Sequence, residues 1–314
     1  MTVWMSVSMW GLAFVLGGAT TALGQVALPY TERDAPDWEA DYRFAIQYQK
    51  GAAIDSGGSV EIMEYALGAW MEGPLSDSVQ FHLDASYVFT DYDFGPAAGC
   101  SNPMVTVCFT NDPWQDIQRL DVAPGTSLIL TPALRLRLSF PLRWNSEGDA
   151  DENGVTAGML VQLQWKMSSR FTAGLGIGVT SELEEDVSVY PAFSLDWKMG
   201  PDVRLRTRGG PYQGGTVEWV WSPSDFFQGA LSAGYERQRF RLANKGPNPD
   251  GIAEATSVPL LLGMKFRASR FNLVVEGGMA VSGDLRIEDH TGQLLAVSDY
   301  GSAGILRGYL AFTF

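Results

Sequence analysis

The run from Leu134 to Trp144 constrains this chain more than any other stretch. Leu134, Leu136, Leu138, Phe140, Leu142 and Trp144 alternate with Arg135, Arg137, Ser139, Pro141 and Arg143. An extended strand, whose side chains point to opposite faces at a period of two, puts all six apolar groups on one side and three guanidinium groups on the other. A helix would scatter the same arginines around its circumference. One face must therefore meet an apolar medium and the other a polar one.

The same period recurs from residue 40 onward. Tyr42, Phe44, Ile46 and Tyr48 oppose Arg43, Ala45 and Gln47. Val79, Phe81, Leu83, Ala85, Tyr87 and Phe89 oppose His82, Asp84, Ser86 and Thr90. Phe171, Ala173, Leu175, Ile177 and Val179 oppose Thr172, Gly174, Gly176, Gly178 and Thr180. Val258, Leu260, Leu262, Met264 and Phe266 precede Phe271, Leu273, Val275 and Met279 across a tight turn. About fourteen such segments follow one another, with twelve as the lower count, many of them near the 9–11 residues that a tilted strand needs to cross a bilayer. They span 42–49, 60–71, 79–90, 117–130, 134–145, 156–166, 171–181, 187–198, 203–208, 216–222, 227–241, 256–267, 271–283 and 303–314.

Their connections sort into two kinds. Even-numbered segments end in short links such as Thr131-Pro-Ala133, Met167 to Arg170, Met199 to Asp202 and Ala268-Ser-Arg270. Odd-numbered ones mostly lead into longer polar stretches, 91–116, 146–155, 242–255 and 284–302. Short turns on one side and long loops on the other is the topology of an outer-membrane barrel, and an even count puts both termini on the short-turn, periplasmic side. The expected fold is all-β, a transmembrane antiparallel up-and-down barrel over residues 41–314.

Both chain ends fit export. Met1 to Gly24 has no charged residue, an apolar centre at Trp10 to Gly17, and small residues at Ala22 and Gly24. It reads as a signal peptide, 1–24, although its n-region lacks the usual Lys or Arg. Residues 25–40 then form a polar periplasmic segment. The last strand closes on Leu310, Phe312 and Phe314, resembling the C-terminal insertion signal of bacterial outer-membrane proteins, with its Gly308 one place from the commonest spacing.

From about Leu120 to Arg208 the chain also resembles a family of uncharacterised bacterial outer-membrane β-barrel proteins, a domain of unknown function. Gly174-Leu-Gly176-Ile-Gly178, Glu182-Leu-Glu184-Glu-Asp186, and Tyr190-Pro191 leading to Leu195-Asp-Trp197 carry the likeness. It implies a barrel and a location in the outer membrane, with no catalytic residues and no substrate.

Charge bounds the partners. With 22 Lys and Arg against 36 Asp and Glu, the net charge of −14 disfavours nucleic acid, whose phosphates need clustered cations. The expected partners are outer-membrane lipid, lipopolysaccharide and, during insertion, the barrel-assembly machinery. A monomer is favoured. No cofactor is expected. The two cysteines, Cys100 and Cys108, lie in a Gly-, Pro-, Asn- and Thr-rich stretch without the accompanying His of a zinc site, and read as a loop disulfide in an oxidising compartment.

A charge aimed at hydrocarbon costs about 2–4 kcal/mol at the midplane, so charged residues within strands are assigned to the lumen. They are Arg135, Arg137, Arg143, Arg204, Arg206 and Arg208, with Lys166 and Lys265, and of opposite sign Asp84, Asp196, Glu218, Glu236 and Glu276. Two roles are open: these groups line a wet pore and bias what passes, or they pair across the lumen and fill it. The first makes the protein a passive pore or solute channel. The second makes it a closed structural, binding or adhesion barrel acting through its extracellular loops, 91–116 above all. A third reading, an outer-membrane lipid-modifying enzyme, has little support. The chain holds two histidines, His82 on the inward face and His290 in a turn, and a lipid hydrolase wants its nucleophile where lipid arrives. The acidic stretches Glu147 to Glu152 and Glu182 to Asp186 read as solvated loop charge before a cation site.

Overall fold

The computed structural model describes residues 38–95, 113–148, 150, 154–209 and 214–314. The signal peptide, most of the periplasmic segment, Cys100, Cys108 and most of the loop 91–116 lie outside the described residues. Within them there is no helix, and sixteen strands form one sheet: β1 (Glu39–Ala53), β2 (Ser59–Ser76), β3 (Val79–Gly95), β4 (Asp116–Thr131), β5 (Leu134–Ser139), β6 (Leu142–Glu147), β7 (Val155–Ser168), β8 (Phe171–Glu182), β9 (Glu185–Lys198), β10 (Val203–Gly209), β11 (Gly214–Trp221), β12 (Phe227–Arg241), β13 (Ile252–Ala268), β14 (Phe271–Glu288), β15 (Leu294–Tyr300) and β16 (Ala303–Thr313).

The sheet closes. Each strand pairs antiparallel with its neighbour, and β1 pairs with β16, Asp41 opposite Thr313 and Gln49 opposite Ile305. Phe314 N–H donates to Ala40 O at 2.9 Å, so the described ends lie side by side on the short-turn side. β5 and β6 occupy one place in the wall, both pairing with β4 and with β7, and β15 is a hairpin extension on β14. The result is a closed fourteen-stranded antiparallel barrel, the fold of outer-membrane proteins. All fourteen expected segments coincide with wall positions.

The differences have local causes. Pro141 has no N–H to give the ladder, so 134–145 divides there; its carbonyl still accepts from Gly158 N at 2.8 Å, and Phe140 N donates to Pro124 O at 2.9 Å. Much of the expected loops is strand: β3 continues to Gly95, β13 starts at Ile252, and 284–302 holds the ends of β14 and all of β15.

Burial alternates as the two faces demand. Tyr42, Phe44, Ile46 and Tyr48 are exposed on the outer wall while Ala45 and Gln47 between them are buried. At the short-turn end Trp165, Trp197, Trp221 and Phe226 make an outward aromatic belt, with Tyr48, Tyr87 and Tyr235 exposed nearer the other end. Leu310 and Phe312 share the outward face with Phe314. Phe312 meets Phe271 edge-on at 4.9 Å and Phe314 meets Tyr42 at 5.8 Å, across the seam on both sides of β16.

Candidate functional site, a lumen divided at its outer end

The inward arginines are held by carboxylates on the same wall. Arg143 Nε is 2.6 Å from Asp121 Oδ1, and Arg119 reaches the other oxygen at 3.0 Å. Arg206 Nε donates to Glu218 at 2.7 Å, Arg204 pairs with Asp196, and Arg43 lies 3.6 Å from Asp84. Tyr309 OH donates to Glu276 at 2.9 Å. Register puts these partners side by side: Arg206 opposite Glu218 and Asp196, Asp121 opposite Arg143. Arg135 and Arg137 are half-buried on β5, and Arg137 Nε is buried without a hydrogen bond. Arg208 sits on β10 opposite Thr216; its side chain is outside the described residues. Carboxylates thus meet Arg143, Arg204 and Arg206, whereas register sets Gln164 beside Arg135, Gln162 beside Arg137 and Thr216 beside Arg208.

A second layer ties opposite walls together. Arg307 donates to Gln47 at 2.5 Å and, with one terminal nitrogen, to both Glu236 oxygens at 2.8 and 2.9 Å. Glu64, fully buried on β2, accepts from Thr90 Oγ1 at 3.2 Å and from Gln238 Nε2 on β12 at 3.2 Å; Tyr92 OH donates to Gln238 Oε1 at 3.3 Å. Strands β1 to β3 thus touch β12 through the lumen.

Above this layer, at the long-loop end, the lumen side is apolar. Ile54, Val60, Ile62, Tyr92, Phe94, Ile117, Phe240, Leu242, Leu285, Ile287 and Tyr300 form one buried cluster around Trp114. The Trp114 ring meets Phe94 at 5.0 Å, Phe240 at 5.5 Å and Tyr92 at 5.8 Å, each edge-on. This cluster packs against the lumen side of β1–β4 and β12–β16.

It involves only part of the wall. β6 pairs with β7 as far as Trp144 opposite Val155, then leaves it, and Ser146 pairs in parallel with Arg241 at the end of β12. Asn145 Nδ2 donates to Arg239 O at 2.7 Å, and Glu147 accepts from Ala243 N at 2.8 Å and Gln115 N at 3.0 Å. β11 pairs with β12 up to Gly214, opposite Glu236. The β6–β12 bridge therefore divides the wall at the long-loop end: β1–β4, β6 and β12–β16 surround the apolar cluster, and β7–β11 lie to the other side of the bridge. The inward face of that wall carries small or uncharged groups, Thr156, Gly174, Gly176, Gly178, Thr180, Ser188 and Ala192, beside Tyr190, which lies over Gly178.

The turn between β8 and β9 arches back onto β12–β14. Arg237 pairs with Glu182 at 3.3 Å and with Glu254 at 2.7 Å; Arg239 pairs with Glu288 at 2.6 Å and donates to Leu183 O at 2.9 Å; Arg241 pairs with Glu184. Leu183 is buried, and Glu184 takes φ 54° to make the bend. Within the stretch read as solvated acidic loop, Glu182 and Glu184 are ion-paired. Arg237, Arg239 and Arg241 were not singled out in the sequence, since nothing local distinguishes them from surface charge.

His82 is buried against Gly125 and its Nε2 makes no hydrogen bond, so no nucleophile is paired to it through that atom. His290 lies in the β14–β15 turn, where Asp289 accepts from Thr291 N, Thr291 Oγ1 and Gln293 N. No cluster suited to a metal ion occurs among the described residues.

No family model and no curated relative matches the chain. Among solved structures it is similar to an outer-membrane channel from Pseudomonas putida F1, 11% identical over 91% of this chain and 99% of that one, with a TM-score of 0.46. It is also similar to a Pseudomonas aeruginosa FadL homologue, 12% identical over 88% and 89%, TM-score 0.44, and to the P. putida toluene transporter TodX, 10% identical over 89% and 90%, TM-score 0.42.

Proposed function

We propose that the protein is a passive channel of the bacterial outer membrane, taking small polar solutes through a charged, Arg-lined lumen. The carrying observation is the polar, charged inner wall of a fourteen-stranded barrel. Fourteen strands enclose more space than their own side chains readily fill. Polar residues run up the inward face of β7–β11: Arg204, Arg206 and Glu218 low on the wall, then Gln162, Thr180 and Thr156, whereas the apolar cluster is confined to the β1–β4 and β12–β16 side.

Planar-bilayer recording of the refolded protein tests the reading. Discrete current steps are expected, and silence over repeated insertions of properly assembled barrel would sink it. Assembly itself is checked by heat-modifiable gel mobility. Silence with intact assembly would leave the closed barrel acting through its loops, the reading favoured by the apolar cluster at the long-loop end.

A further inference from the structure

We infer that the inward face of β10–β14 and β16 carries a binding site for a small neutral polyol, a monosaccharide in size. This names a solute class for the channel reading and takes its purpose from it, although binding itself needs no conduction. The wall there holds about 400 Å³ of empty space, part of it open, at the small end of ligand sites. It lies among Arg206, Glu218, Gln228, Lys265, Glu276 and Tyr309, within a few residues of the short turns. The next inward residue up β16 from Tyr309 is Arg307, which is bound to Gln47 and Glu236.

Charge decides the class. Two cations, Arg206 and Lys265, face two carboxylates, Glu218 and Glu276, so the lining sums to zero. The charges are also engaged: Arg206 Nε donates to Glu218 at 2.7 Å, Tyr309 OH donates to Glu276 at 2.9 Å, and Lys265 has a partner of its own. An entering anion would meet Glu218 and Glu276, and an entering cation would meet Arg206 and Lys265, like charge against like. A hydroxyl meets no such penalty, since it donates to a carboxylate and accepts from an N–H at once. A guanidinium has several N–H donors and a carboxylate several lone pairs, so both can serve a polyol without surrendering their pair. Val220, Ala230 and Val274 lie among these groups and offer apolar surface to the C–H faces of a sugar ring. Gly263 keeps the space clear. A Cβ there would lie 3.1 Å from Glu276 Cγ and 3.3 Å from its Oε1, so the Glu276 side chain rests on the backbone of β13.

The experiment titrates the full chain, refolded in deuterated detergent, with D-glucose and follows the sugar by saturation-transfer NMR. Glycine, acetate and tetramethylammonium are the zwitterionic, anionic and cationic probes. Saturable glucose binding is expected, with both singly charged probes at background. Ala230→Leu adds volume to the space, removes no polar group, and should weaken glucose at least about tenfold. Gln228→Ala removes an amide without crowding and should weaken it several-fold, which keeps the test decisive if the leucine variant loses its heat-modifiable mobility. Glucose that does not saturate, or that binds both assembled variants as it binds the wild type, overturns the site. Saturable binding of a charged probe without glucose overturns the class and the inference with it. A conducting barrel that ignores glucose defeats the site and leaves the channel reading standing. A silent barrel that binds glucose with the expected losses in both variants supports the site and defeats the channel reading alone.

Discussion

Replacing Trp114 by alanine tests the apolar cluster directly. Trp114 is 1% exposed and touches three rings edge-on at 5.0 to 5.8 Å. A buried aromatic of this size hides about 150–250 Å², which at about 25 cal/mol/Å² is worth about 4–6 kcal/mol. Residual burial in the unfolded chain removes about 10–40% of that, leaving about 3–5 kcal/mol, the range found for large aromatic to alanine changes in packed cores. No wall hydrogen bond is lost, so the variant should still assemble with heat-modifiable mobility. Urea unfolding in phospholipid vesicles, followed by far-UV circular dichroism, measures the loss. A cycle with Phe94→Ala should return a coupling of about 0.5–1.5 kcal/mol beyond area. Should the alanine variant fail to assemble, Trp114→Phe keeps a ring in place and should recover about half the loss. A loss below about 1 kcal/mol, the ordinary cost of a point mutation, together with no coupling, would refute the seating of Trp114 among those rings.

Three further outcomes are expected. Arg135→Glu with Arg137→Glu moves reversal potentials toward cation preference if those residues face the conducting lumen; unchanged potentials in a salt gradient would contradict that placement. Gly125→Ala forces a methyl into the buried His82 ring and the Leu138 carbonyl, and should cost about 1–3 kcal/mol in the same urea assay, with a neutral result arguing against the tight β3–β4–β5 crossing. In the β14–β15 turn, the Thr291 hydroxyl and then the Gln293 and Thr291 amides hold the Asp289 carboxyl below its ordinary value of 3.8. A depressed carboxyl gives stability that is present above the unfolded value and lost as pH falls through the folded one. Protection factors at Thr291 and Gln293, which divide out the intrinsic pH dependence of exchange, should then stay flat from neutral pH down to the ordinary carboxyl value and fall below it, and a fall beginning at higher pH would remove Asp289 as the cause.

The wall was legible because lipid and lumen impose opposite demands on neighbouring residues. Leu134 to Trp144, or Leu260, Leu262 and Met264, announce a strand and its outward face without any knowledge of partners. The apolar cluster was not legible for the same reason. Tyr92, Phe94, Phe240, Leu285 and Ile287 are apolar on lumen-side positions at the long-loop end, so the rule that apolar means lipid does not hold for them. A register shift between Ser257 and Pro259 further hides which face Ala253 and Ala255 occupy. Among the lumen charges, parity could name Arg206 and Glu218 but only register could join them. The three arginines of β12 and the acids of the β8–β9 tip lie more than fifty residues apart in the chain, so their meeting depends on how the strands fork.

That fork also fixes an order of construction. Neighbouring strands of the wall can zip as hairpins, one after another. The contact between Ser146 and Arg241 is different: Asn145 and Arg239 stand 94 residues apart, and β7 to β11 must be placed before they meet. The mouth therefore waits on β7 to β11, while the β1–β16 seam joins residues farther apart still. Parting β6 from β12 breaks the Ser146–Arg241 bridge and the Asn145–Arg239 and Glu147–Ala243 hydrogen bonds, yet leaves each strand with a wall partner, so the mouth can loosen without opening the wall.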